Sequence, residues 1–180
     1  MNNKTVVTST IGYMCLALVG WMISVPNAGW YGATGHGMAM MFPLAVVLGV
    51  MGILAFQRGR TLDAIIFFGG AGLFWANHML GMGAGEPGSY MGWYDFVWAA
   101  FFCWVWVGSF KAGMVRFLFL LGLWLTLLAQ AIGSWGDMHW FMVLSGYLGL
   151  ITSILAAIVS ANEIIRHGLR GNPNDESSAA

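Results

Sequence analysis

The sequence predicts an all-α membrane protein of six transmembrane helices per protomer, with both termini cytoplasmic. Three observations carry that prediction. Of the 180 residues, 59% are hydrophobic and 8% charged, whereas about a quarter of a soluble domain is charged. Six apolar runs, each near the ~20 residues needed to cross a bilayer, lie at 6–25, 37–56, 62–82, 92–110, 114–133 and 140–164. All seven cations fall on one side of the alternation these runs define, and cytoplasmic loops are the ones enriched in Lys and Arg.

The runs are helices rather than barrel strands because lipid offers no partner to backbone N–H and C=O, and the short alternating segments of a barrel are absent. The first run follows Lys4 and ends at Pro26-Asn27-Ala28-Gly29. A signal peptide has the same charged start. This run lacks a small-x-small cleavage site, and its removal would put Arg166 and Arg170 out of phase, so it is retained as a helix. The second run stops at Arg58-Gly59-Arg60, and the third at a Gly-rich break, 83–88, containing Pro87. Lys111-Ala112-Gly113 ends the fourth, and 134–137 separates the fifth from the sixth. Residues 1–168 thus form a single six-helix transmembrane domain, and the polar stretch 169–180 is expected to be a short disordered cytoplasmic tail.

Lys4, Arg58, Arg60, Lys111, Arg116, Arg166 and Arg170 mark the cytoplasmic face. The opposite loops carry Glu86 and Asp137, with Asp95 just inside the fourth run. Seven basic and seven acidic residues give a net charge of zero, which supplies no field for nucleic acid. Cys15 and Cys103 lie in apolar runs and read as packing residues, not a disulfide framework. Trp30, Tyr31, Tyr90, Trp93, Tyr94, Trp135 and Trp140 flank the outer loops as an aromatic belt anchoring helices at headgroup level. Gly69-Gly70-Ala71-Gly72 and Gly146-x-x-Gly149 permit close helix approach.

Polar groups within the runs are few. Asn77 and His78 lie in the outer half of the third run, Gln130 near the outer end of the fifth, and Asn162 and Glu163 at the inner end of the sixth. An intramembrane His faces either a bundle interior or a water-filled path, so His78 is a pathway candidate or a residue bonded to a neighbouring helix. Glu163 reads as an interfacial anion near Arg166 at helical spacing. The outward N-termini of the second, fourth and sixth helices present partial positive charge suited to a small carboxylate, as in any six-span protein of this orientation.

His36, His78 and His139 each have Met neighbours toward the outer face. Imidazole with thioether is a cuprous-copper donor set, so an outer copper site is a secondary expectation beside plain packing of a Met-rich chain. No resident cofactor is expected. No Ser/His/Asp arrangement, paired carboxylate or phosphate-cradling loop occurs, so an enzyme is not expected.

Phe56-Gln57-Arg58-Gly59-Arg60-Thr61, followed by Ala71-Gly72-Leu73-Phe74-Trp75, resembles the acetate uptake transporter family. Asn27-Ala28-Gly29-Trp30-Tyr31, Gly92-Trp93-Tyr94 with Trp98, Gly108-Ser109-Phe110-Lys111, Ala131-Ile132-Gly133 and Gly146-Tyr147-Leu148-Gly149-Leu150 with Glu163 are similar to its later motifs, in order. The resemblance implies a six-helix protomer in a homohexamer, in a bacterial or archaeal cytoplasmic membrane. It implies a pathway for acetate or related small carboxylates, with or without protons. Of the family's opening Asn-Pro-x-Pro-Leu-Gly-Leu signature, Gly12 alone is kept. The family's narrow point places a Phe, a Tyr and a Leu on Leu16, on Ala71 or the neighbouring Gly70, and on Ala129 or Gln130. Loss of the aromatic rings implies a wider or reshaped gate, or one refilled by Trp or Met side chains of adjacent helices, with Asn27, Asn77 and His78 on the outer approach. The alternatives are a channel for a small neutral solute such as urea or ammonia, and a non-transporting membrane protein carrying the outer copper site.

Overall fold

A computed structural model of the chain describes residues 3–30, 35–82 and 88–168, with side chains within 7–30, 41–79 and 90–165. The described residues form six α-helices: α1 (Asn3–Asn27), α2 (Gly35–Gln57), α3 (Thr61–Met82), α4 (Gly88–Gly108), α5 (Met114–Gly136) and α6 (His139–Gly168). Each expected run is therefore a helix. The expected tail 169–180, Tyr31, Glu86 and the side chains of Lys4, His36, Arg166 and Arg170 lie outside what is described. Val7–Asn27, Met114–Gly136 and His139–Ile165 are long and apolar enough to cross a membrane, and Met41–Gln57 is a shorter apolar helical stretch.

The turns follow local chemistry. Gly59 and Gly113 adopt positive φ, 70° and 95°, where a side chain would be strained. Asp137 closes α5 in the left-handed region at φ 49°, and its N–H reaches the Gly133 carbonyl, a C-cap role that Asp and Asn tolerate best after Gly.

The helices form a ring in the spatial order α4, α5, α6, α1, α2, α3, closed by thinner packing between α3 and α4. Its outer surface is apolar: Ile53, Phe56, Trp104, Ile151 and Ile154 are exposed, whereas Thr8, Ser9, Ser24, Ser145, Thr152, Ser153 and Ser160 are buried. Such polarity, oily outside and hydroxyl-bearing inside, is stable only when the outer surface is not in water.

Glycines set two kinds of contact. At Gly146 a Cβ would meet the backbone of Ala28 and Asn27, so α1 and α6 touch main chain to main chain, as expected of this motif. In the 69–72 stretch the glycines instead make room for side chains. Gly69 receives Phe101 and Phe102, Gly72 receives Trp98, and Gly70 receives Leu16. The thin α3–α4 seam is thus filled by aromatic rings of α4 rather than closed by backbone approach.

Candidate functional site

Inside the ring lies a cavity of about 60 Å³, lined by α1, α3, α4, α5 and α6. Leu16, Phe74 and Phe119 supply apolar wall. Ser24, Asn77, Asp95, Thr126, Gln130, Thr152 and Ser153 supply the polar groups. Helix order places Ser24, Asn77 and Gln130 toward the end remote from the termini, and Phe119 toward the end that bears them. The cavity therefore occupies the middle and far half of the bundle.

Below it sits an aromatic barrier. Phe119 packs edge-on against Tyr13, ring centroids 5.8 Å apart, and Tyr13 packs edge-on against Phe67 at 5.2 Å. All three rings are buried. Gly12, the retained signature residue, leaves the space that the Phe67 ring fills. Tyr13 and Phe67 lie about one helical turn nearer the termini than Leu16 and Gly70, at positions three residues before each.

Beyond the barrier is a charged cluster joining four elements. Ser9 Oγ donates to Asp63 Oδ2 at 2.9 Å, and Tyr13 Oη donates to Asp63 Oδ1 at 3.0 Å. Arg60 Nε pairs with Asp63 at 2.7 Å, and its Nη2 lies 3.4 Å from Glu163 Oε1. Arg116 pairs with the same Glu163 oxygen and sits 5.6 Å from the centre of the Tyr13 ring, within cation–π range. Glu163 is thus held by Arg116 of α5 and by Arg60 of the turn before α3; the side chain of Arg166, its expected neighbour, lies outside what is described. A second cavity of about 210 Å³, between the start of α5 and the end of α6, opens onto Arg116, Asn162 and Glu163. Cavity, Phe119, Tyr13, Arg116 and second cavity follow one another along the bundle.

No protein-family model matches the chain, and no curated protein does. Among solved structures, that titled "Structure of the bacterial acetate channel SatP" matches with a TM-score of 0.84 at 19% identity, over 96% of this chain and 98% of that one. The chain has the acetate-channel fold. At that identity the likeness carries architecture and not residue roles. The order of helices read from short motifs corresponds to this fold, and the relative is a channel rather than an enzyme.

Set on the acetate-channel fold, the expected pathway residues divide. Leu16, Asn77 and Gln130 line the cavity. Ala71 does not: its Cβ faces Gly49 of α2, 4.0 Å from where a Cβ would stand there, while Gly70 is the residue against Leu16. Of the two expected positions on α3 it is thus Gly70 that meets Leu16, since a one-residue step on a helix rotates a side chain by about 100°. Ala129 is buried but not part of the lining. Asn27 is half-buried at the end of α1, where its backbone abuts Gly146. His78 packs on Phe42 of α2, ring centroids 5.4 Å apart, away from the cavity. Tyr94 is also displaced from its expected belt role, turning inward to donate to the Leu73 carbonyl at 2.6 Å.

His139 is exposed at the start of α6. Among the described residues no three His, Cys, Asp or Glu side chains group closely enough to hold a metal. Two features escaped the sequence reading, Asp95 as a cavity group and the Arg60–Asp63–Arg116–Glu163 cluster. The i,i+3 spacing of Arg60 and Asp63 was the available signal for the second.

Proposed function

We propose that this chain is a six-span membrane channel or transporter for acetate or related small carboxylates, with both termini cytoplasmic. The carrying observation is the mainly apolar cavity, with a few polar groups such as Asn77 and Gln130, inside the helix ring of an acetate-channel fold, separated by the Phe119–Tyr13 pair from a second, Arg116-bearing cavity. Its size supports the reading. About 60 Å³ is several times the ~15 Å³ that one water needs, room for a small solute. Helix lengths of 21 to 30 residues correspond to roughly 31–45 Å at 1.5 Å per residue, enough in every case for a ~30 Å hydrocarbon core.

Two positive groups, Arg60 and Arg116, stand at the termini-bearing end, where a carboxylate leaving the second cavity meets them. The solute moves by exchanging wall contacts past a dynamic aromatic barrier, a constriction that conducts only when the rings part. A homohexamer in a bacterial cytoplasmic membrane is the assembly the family resemblance implies.

Uptake of radiolabelled acetate into proteoliposomes tests the reading, with uptake above empty vesicles expected; uptake equal to empty vesicles under every gradient rejects it. The neutral-solute alternative draws on one observation, that no Lys, Arg or His lines the first cavity. Faster stopped-flow equilibration of the same vesicles with urea than with acetate would favour it.

A further inference from the structure

Asp95 is fully buried in α4 and lines the first cavity. Neither carboxylate oxygen has a hydrogen-bond partner, and a buried carboxylate without donors is among the most costly arrangements a protein can hold. Such groups are rare in folded proteins, and each marks a functional role or a partner from outside the chain.

The rest of the wall does not complete it. Thr126 donates to the Gly122 carbonyl at 2.8 Å, Thr152 to Leu148 at 2.8 Å and Ser153 to Gly149 at 2.7 Å. With their protons engaged on their own helices, these hydroxyls offer the cavity lone pairs alone. Tyr94 is likewise engaged on Leu73, and no Lys, Arg or His is among the lining residues. This part of the cavity accepts hydrogen bonds and attracts positive charge.

The same cavity also holds donors. Asn77 of α3 and Gln130 of α5 bring carboxamides, whose N–H groups suit a carboxylate. Counted from the helix ends remote from the termini, Asn77, Gln130 and Asp95 lie five, six and seven residues in, a spread of about 3 Å at 1.5 Å per residue. Amides and carboxylate therefore share one level of the bundle.

Acetate satisfies the amides but sets a second negative charge beside Asp95, where like charges in an apolar-walled space repel. A solute with its own ammonium group satisfies both ends at once, and about 60 Å³ admits only a compact one. We propose that the cavity takes a small zwitterionic amino acid, glycine being the smallest, with its ammonium group on Asp95 and its carboxylate on the Asn77 and Gln130 amides. This rests on the carboxylate reading above and extends it to carboxylates that carry a positive charge of their own. Glycine is acetate with one methyl hydrogen replaced by an ammonium group, so the two differ little in size and fully in charge. Asp95 is the residue that favours the amino acid.

The test uses the purified full chain and its Asp95→Asn, Asp95→Ser and Asp95→Glu variants in proteoliposomes, with the same pH and salt on both sides. Uptake of radiolabelled glycine is compared with that of acetate and methylammonium, its two halves. Wild-type vesicles are expected to take up glycine above empty vesicles and faster than methylammonium. In D95N the ratio of glycine to acetate uptake should fall about tenfold or more, the scale of a lost hydrogen bond between charged groups, and D95E should restore part of it. D95S serves as the second uncharged variant if D95N does not give a monodisperse protein. Equilibrium binding of glycine and acetate to the solubilised protein gives the same ratio for a variant that does not conduct.

Glycine neither taken up nor bound by the wild type, methylammonium preferred to glycine, or a D95N or D95S ratio equal to the wild type overturns the proposal. Asp95-dependent glycine uptake with no acetate uptake in any vesicle rejects acetate as the solute and keeps the amino-acid site. Acetate uptake with no glycine uptake or binding does the reverse.

Discussion

The Tyr13 hydroxyl donates to Asp63 Oδ1 at 3.0 Å, tying α1 to α3 through a side chain whose ring also closes the axis against Phe119. One residue therefore links the aromatic barrier to the charged cluster. Asp63 is 2% exposed and Arg60 17%, so the pair is shielded without being dry. Asp63→Asn takes from Arg60 the carboxylate at 2.7 Å and is expected to cost about 2–3 kcal/mol, below the ~3–5 of a fully buried pair because Arg60 keeps some water. Tyr13→Phe keeps the rings packed and loses one hydrogen bond to a charged group, about 1.5 kcal/mol. Thermal unfolding in detergent should rank wild type above Y13F and Y13F above D63N; D63N as stable as wild type would deny the cluster a structural role.

Phe119 forms the floor of the first cavity and the near wall of the barrier. Phe119→Leu removes the edge contact with Tyr13 and should raise the unstimulated acetate leak by about tenfold, equivalent to ~1.4 kcal/mol off the barrier. Efflux from preloaded vesicles measures it. An unchanged leak would place the limiting constriction elsewhere on the axis.

The two kinds of glycine contact give opposite outcomes for the same substitution. At Gly146 a Cβ meets Ala28 and Asn27 backbone, which cannot rotate away, so Gly146→Ala should lower stability by about 1–3 kcal/mol by pushing α1 off α6. At Gly49 the nearest atom is the Ala71 Cβ at 4.0 Å, an ordinary contact. Gly49→Ala should be neutral or stabilising by up to ~1 kcal/mol through helix propensity. Unfolding midpoints of the two variants, measured side by side, check the contrast.

His78→Ala removes a ring packed on Phe42, at a position outside the cavity lining. Its expected effect is a stability loss of about 0.5–1.5 kcal/mol, the scale of an aromatic pair, with the pH profile of acetate uptake unchanged. A flattened profile would bring His78 back to the pathway.

Much of the architecture was legible along the chain because span length, loop chemistry and cation placement are one-dimensional properties. The six helices fall where the apolar runs end at Arg58-Gly59-Arg60, Lys111-Ala112-Gly113 and the Asp137 cap, since these local breaks need no tertiary partner. Leu16, Asn77 and Gln130 were found because polar or displaced residues in apolar runs stand out. The choice between Ala71 and Gly70 was not legible, because facing is rotational and a one-residue offset in a glycine stretch leaves composition unchanged.

The sequence by itself determined that this chain is a bundle of apolar helices with its cations segregated to one end, since hydrophobic length and charge position follow from residue identity alone. Only the tertiary structure decided which side chains meet. It put Asp95 without a partner in a cavity and Asp63 at the centre of a cluster, although both are single acids at the edge of an apolar run. Whether a carboxylate is compensated depends on what other helices bring within about 3 Å, the reach of a hydrogen bond, and that is fixed by the ring order of the helices rather than by any one of them.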